Sequence, residues 1–148
     1  MRIQRILVAV DFSEHSAHAL AAAIGLAEKF GAEIHLLNSY PVYMGAVTPY
    51  GIAVPESYDR ECRAAAEREL QSWGHKVVAA GVRLETRVSA LPPSEAVTRY
   101  VEEHSIDLVV IGSRGLSGLK HWVLGSVAER VLHSCPCPVL TVKAPESE

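Results

Sequence analysis

The chain has 148 residues, 49% hydrophobic and 21% charged, with 14 Lys and Arg against 17 Asp and Glu and a formal charge of −3. That length suits one domain, 1–148, and the composition is that of a soluble globular protein. The slight acidic balance excludes a general basic field for nucleic acid, and no apolar run reaches the roughly 20 residues that span a bilayer.

Arg5-Ile6-Leu7-Val8-Ala9-Val10 is a continuous apolar run, the pattern of a strand buried on both faces. Asp11-Phe12-Ser13 ends it, and Ser13 is placed to cap a helix from Glu14 to Phe30. Helical spacing predicts an apolar face of Ala17, Leu20, Ala21, Ile24 and Ala27, with Gly31 as the stop. Glu33 to Ser39 reads as the second strand. The segment 40–55 holds Pro41, Gly45, Pro49, Gly51 and Pro55, so it reads as a long loop. Its Tyr40, Tyr43, Met44 and Tyr50 suggest a segment that covers a site or meets a partner.

Glu56 to Ala80 is the longest helical stretch, ended by Gly81. From 82 to 88, Val82, Leu84, Thr86 and Val88 alternate with Arg83, Glu85 and Arg87, which predicts an edge strand buried on one face. Pro92-Pro93 opens a third helix, near Ser94 to His104. A strand at Asp107–Ile111, a glycine-rich loop, a helix from about Ser126 and a last strand, Pro138–Val142, complete the chain before a short tail, 144–148. Strands alternating with helices imply a mostly parallel, doubly wound α/β sheet of five strands in the order 3-2-1-4-5, with helices on both faces, a Rossmann-like architecture.

Ligands of such sheets bind beyond the carboxyl ends of the strands where the winding reverses, here strands one and four. Those ends carry Asp11 and Gly112, where the sequence turns from apolar to chemically specific. Gly112 opens the spacing Gly112-x2-Gly115-x9-Gly125-Ser126, between a strand and a helix start. Amides without side chains can converge on an anion there, and a helix N-terminus adds favourable partial charge. The spacing lacks the P-loop order, and the first turn, Asp11-Phe12-Ser13-Glu14, has none of the glycines of a dinucleotide fingerprint.

With these motifs in place, the sequence resembles the universal stress protein family, in its ATP-binding branch, over nearly the entire chain. The resemblance is carried by Ile6–Ser13, by Asp107–Gly115, by Leu124–Leu132 and by Cys137–Val142, and the Gly-x2-Gly-x9-Gly-Ser pattern is complete. It implies a regulator or sensor of the stress response that holds ATP, ADP or AMP at the ends of strands one and four. Ala9 and Val10 would line the adenine side, and the Ser39 backbone would meet the adenine edge. Asp11 would stand near ribose or the metal–phosphate group, with Mg²⁺ reached through the phosphates. Ile111, Gly112, Arg114 and Gly115 would border ribose and phosphates, and Gly125, Ser126 and Val127 would hold phosphate through main-chain amides. The resemblance also implies a homodimer through the C-terminal strand and an unknown regulatory protein partner.

The sequence departs from the family at Ala90-Leu91-Pro92-Pro93, where many relatives have Gly-x-Pro, and at Ala128, which offers phosphate no hydroxyl. No catalytic residue is assigned, and at most weak ATP hydrolysis is expected. His15 and His18 are expected on the surface, His35 packed in its strand, and His75, His104 and His133 near helix ends without a special role. Lys120 and His121 are expected to face solvent, and Trp122 to pack under the glycine loop. A slow ATPase or phosphotransferase and a ligand-free dimeric interaction module stand as alternatives.

Three cysteines, Cys62, Cys135 and Cys137, form no disulfide framework, and the N-terminus lacks a signal-peptide pattern. Both point to a cytoplasmic protein with reduced structural thiols. Cys135-Pro136-Cys137 is not a C-x-x-C pair, and neither a second pair nor a His cluster completes a zinc site.

Overall fold

A computed structural model describes residues 1–40, 55–114 and 123–145. Its centre is β1 (Arg5–Ala9), whose Ile6, Leu7 and Val8 are all fully buried. Side chains alternate across a strand, so β1 feeds two cores. Ile6 and Val8 join Leu20, Ala23, Leu70 and Val77 on one face, while Leu7 joins Val97, Tyr100, Val109 and Val131 on the other. This is why Ile6–Val8 carries no polar residue: neither face meets water there.

The remaining strands are β2 (Glu33–Ser39), β3 (Leu84–Ser89), β4 (Leu108–Gly112) and β5 (Val139–Val142). All four pairings are parallel, in the order β3-β2-β1-β4-β5. Leu7 stands beside His35 of β2 and Val109 of β4. Helices α1 (Glu14–Phe30) and α2 (Glu56–Ala79) cover the first face; α3 (Pro93–His104) and α4 (Ser126–Ser134) cover the second. The winding reverses between β1 and β4, as expected.

Ser13 caps α1 by accepting the Ser16 amide at 3.2 Å. At the other end Gly31 takes the left-handed conformation, φ 66°, and the Ala32 amide reaches back to the Ala27 carbonyl at 3.0 Å. The buried face of α1 differs from the spacing-based expectation. Ser16, Ala19, Leu20, Ala23 and Ala27 are buried, Ala17 and Ile24 are half-buried, and Ala21 is exposed. Alanines on every side of this helix give little contrast between faces, and the close approach of α1 to β4, described below, sets its rotation.

The alternation expected in the third strand holds at Val88 and fails at Thr86, which is exposed. Thr86 opens onto a hollow lined by Arg63 and Glu67, so α2 does not cover it with apolar side chains. Segment 41–54, Gly115, Lys120, His121 and Trp122, and tail residues 146–148 lie outside the described residues. No helix among the described residues is long and apolar enough to cross a membrane.

Candidate functional site

Beyond the carboxyl ends of β1 and β4 lies a cavity of about 280 Å³. This is near the lower end of small-molecule pockets, about 300–1,000 Å³. Ala9, Val10 and Asp11 reach it from the end of β1, Ser39 from β2, and Ile111, Gly112 and Arg114 from β4 and its exit. Gly125, Ser126 and Val127 reach it from the start of α4. All the site residues expected from sequence thus meet around one hollow, apart from Gly115, which lies outside the described residues.

Two close contacts shape the side of the cavity next to α4. The Gly125 amide donates to the Ser113 carbonyl at 2.7 Å, and the Ser113 amide donates to the Val142 carbonyl at 2.8 Å. The two ends of the glycine loop are therefore tied together and anchored to β5. Gly125 is also the N-cap of α4 and supplies no side-chain cap. The first turn of a helix has amides without intrahelical partners, and here those of Ser126, Val127 and Ala128 begin at the cavity wall. The Ser126 side chain is exposed, and Ala128 is buried beneath it.

Gly112 answers a different demand. A Cβ there would sit 2.9 Å from the backbone carbon of His15 and 2.9 Å from its Cβ. This glycine lets α1 approach β4, whatever else its amide does. His15 is accordingly half-buried rather than simply on the surface, and its Nδ1 accepts the Ala144 amide at 3.2 Å. Lone polar residues on an alanine-rich helix carry no sequence signal for such a contact.

Asp11 is built into the turn. Its Oδ1 accepts the Ser13 amide at 3.0 Å and the Ser16 hydroxyl at 2.7 Å, while its own amide donates to Ser16 Oγ at 3.0 Å. The intervening Phe12 has φ 63°, an uncommon conformation for a large side chain, and its ring packs edge-on against Trp73 at 5.4 Å. Asp11 thus has a turn-forming role beside any role toward a ligand.

Five residues that were not expected at the site complete the walls: Ser16, Ala128, Leu37, Pro93 and Val97. The last three make an apolar floor. Asn38, outside the cavity lining, is buried and donates from Nδ2 to the Val10 carbonyl at 2.8 Å, which braces the end of β1. A polar residue directly after the apolar pair Leu36-Leu37 was the available signal for Asn38; Leu37 and Val97 read only as core.

A larger hollow, about 690 Å³, surrounds the edge strand β3 and is lined by Arg5, Glu33, Arg87 and Glu103 among others. Arg5 and Arg83 already pair with Glu33, at 3.1 and 3.4 Å. His35, which also lines this hollow, is packed, as expected, with Nδ1 2.8 Å from the Tyr100 hydroxyl. His104, expected near a helix end without a special role, stacks on the Tyr100 ring at 3.8 Å. This network serves packing at the far end of β2 from the winding reversal, so the smaller cavity is the candidate site.

The universal stress protein family profile matches residues 2–143. Universal stress protein YxiE of Bacillus subtilis is 36% identical over 146 residues, covering 94% of this chain and 98% of that protein. Among solved structures, a hypothetical protein studied as a test case of structural genomics superposes with a TM-score of 0.86 at 24% identity, covering 99% of this chain and 100% of the other. A universal stress protein in complex with cAMP superposes with a TM-score of 0.67 at 26% identity, covering 96% and 98%. The profile spans nearly the whole sequence and YxiE aligns over almost its full length, so the chain belongs to the universal stress protein family.

Proposed function

We propose that this chain is an adenine-nucleotide-binding regulator of the stress response, of the ATP-binding branch of its family. The observation that carries the reading is the convergence of ten expected residues on one cavity at the winding reversal, with an uncapped helix N-terminus in its wall. The arrangement suits an anion attached to a flat apolar ring. Ala9, Val10, Leu37 and Val97 offer an apolar bed, and the Ser39 backbone lies at its edge. The amides of Ser126 and Val127, the Ser126 hydroxyl and Arg114 face the phosphate end. The cAMP complex of a 26% identical relative supports an adenine ligand in the same fold.

Mg²⁺ would enter with the phosphates. Asp11 is the carboxylate that lines the cavity, and no group of three or more His, Cys, Asp or Glu able to hold a metal occurs among the described residues. One carboxylate plus phosphate oxygens is a common way for proteins to bind Mg²⁺. The role is binding rather than turnover, in the cytoplasm, with the nucleotide state read by a protein partner. The chain pairs as a homodimer through β5, which lies at the sheet edge with Leu140 exposed.

The test is mass spectrometry of small molecules released when the purified protein is denatured, with added ATP as a second arm. Adenine nucleotide in stoichiometric amount supports the reading. Protein that neither carries nor takes up adenine nucleotide overturns it. Sedimentation at micromolar concentration tests the dimer, and a monomer alone would remove that part.

A further inference from the structure

The connection from α4 to β5 carries chemistry that the nucleotide site does not use. Cys135 closes α4, its amide donating to the Val131 carbonyl at 2.9 Å. Just past Cys137 the chain is fixed again, because the Pro138 carbonyl accepts the Val109 amide of β4 at 3.0 Å. The turn is held at both ends, and Pro136 stiffens its middle. The result is sulfur-to-sulfur contact: Cys135 Sγ and Cys137 Sγ are 3.6 Å apart. Both residues are half-buried, so the pair is reachable from solvent while resting on the α3–α4 core. Cys62 lies on α2, against the core of the opposite face.

We propose that Cys135 and Cys137 form a thiol–disulfide exchange site that takes a low-molecular-weight disulfide of the glutathione class and closes to an intramolecular disulfide. The sulfurs have to move from contact to a bond of about 2.0 Å. In the first step the Cys135 thiolate attacks one sulfur of the small disulfide. That S–S bond breaks, a mixed disulfide forms, and one small thiolate leaves and takes up the proton Cys135 gave up. In the second step the Cys137 thiolate attacks Cys135 Sγ, the Cys135–Cys137 bond forms, and the second small thiolate leaves with the remaining proton. The protein loses two hydrogens and two electrons, and the small disulfide is reduced to two thiols.

The order follows from the surroundings of the two sulfurs. Cys137 donates its S–H to the Pro138 carbonyl at 3.6 Å. Burial, and then its neighbour Cys135, push its thiol up to about 12. Cys137 is thus the later nucleophile, acting once the mixed disulfide stands beside it. Among the described residues no third His, Cys, Asp or Glu joins the pair, while a structural zinc site takes four donors. Disulfides in reducing compartments are commonly transient and redox-sensing, which is the role this exchange fits.

The experiment uses the full reduced chain in buffers of graded oxidised-to-reduced glutathione ratio, quenched in acid, alkylated and read by intact and peptide mass spectrometry. The expected product has lost two hydrogens, with Cys135 and Cys137 protected and Cys62 alkylated. Cys137→Ser is expected to stop at a glutathione adduct on Cys135, and Cys62→Ser to behave as the parent. A persistent glutathione adduct on the unsubstituted chain would overturn the proposal. So would a bond through Cys62 or between two chains, or alkylation of all three cysteines at the most oxidising ratio. The unsubstituted and Cys62→Ser chains distinguish these outcomes even if Cys137→Ser fails to fold.

Discussion

The Gly125 amide lies 2.7 Å from the Ser113 carbonyl, and this single bond joins the exit of β4 to the entry of α4 across the glycine-rich segment. It aims the first turn of α4 at the same hollow that receives Asp11. The fold's winding reversal and the helix N-terminus therefore serve one site, and substitutions around that site have distinct expected effects.

Gly112→Ala should destabilise the protein by about 1–3 kcal/mol, the usual cost of overpacking. The added methyl would meet His15 backbone and Cβ at 2.9 Å, atoms that cannot rotate away. Urea denaturation measures this directly, and an unchanged midpoint would show that α1 can back off β4 freely.

Ser16→Ala removes the hydroxyl that donates to Asp11 Oδ1 at 2.7 Å and accepts the Asp11 amide at 3.0 Å. Ser16 is buried, and its removal costs the Asp11 amide and Asp11 Oδ1 one partner each and leaves Asp11 less well positioned. The expected loss of stability is about 1–3 kcal/mol. Nucleotide affinity should fall with it. Calorimetric titration at a temperature where both proteins are folded separates the two effects; affinity equal to that of the parent would mean that Asp11 position does not matter to binding.

Tyr100→Phe keeps the ring stacked on His104 but deprives the buried His35 Nδ1 of its partner at 2.8 Å. A cost of about 1–3 kcal/mol is expected, the penalty for an unsatisfied buried polar atom. Because this site lies away from the cavity, nucleotide affinity should hold. A large loss of affinity with full stability would contradict the separation of the two regions.

Acid should weaken the fold through Glu33. Its hydrogen bond with His35 first, then Arg5 and the nearby charges of His35 and Arg83, hold its carboxyl below the ordinary range against the opposing effect of burial. A carboxyl depressed in the folded state stabilises fully above its unfolded value, and that contribution fades as pH falls through the folded value. Glu33→Gln should therefore flatten the decline of melting temperature in the acid range, below the usual glutamate value, and leave the slope above it unchanged. Parallel curves for parent and variant at all pH values would refute this.

Much of the architecture was legible because its driving patterns are local. Ile6–Val8 and Leu108–Ile111 are buried on both faces, and uninterrupted apolar runs announce that directly. The winding reversal then put Asp11 and Gly112 side by side before any contact was seen. Contacts made across the fold were not legible. The rotation of α1 depends on a missing Cβ at Gly112, almost a hundred residues away, and on hydrogen bonds from Ser16, neither of which alters the helix's own periodicity. Asn38 and Ser113 act through backbone partners on other strands, so their identities alone say little. The Cys135–Cys137 contact required the turn to be seen fixed at both ends.

The proposed function requires phosphate to sit against the amides at the start of α4, beside Asp11. Titrating isotope-labelled protein with ATP and following backbone amide resonances tests it most directly. The largest shifts are expected at Asp11, Gly112, Arg114, Ser126 and Val127, with the amides around Glu33, His35 and Arg87 nearly still. Shifts centred on that second group, or none at saturating ATP, would contradict it.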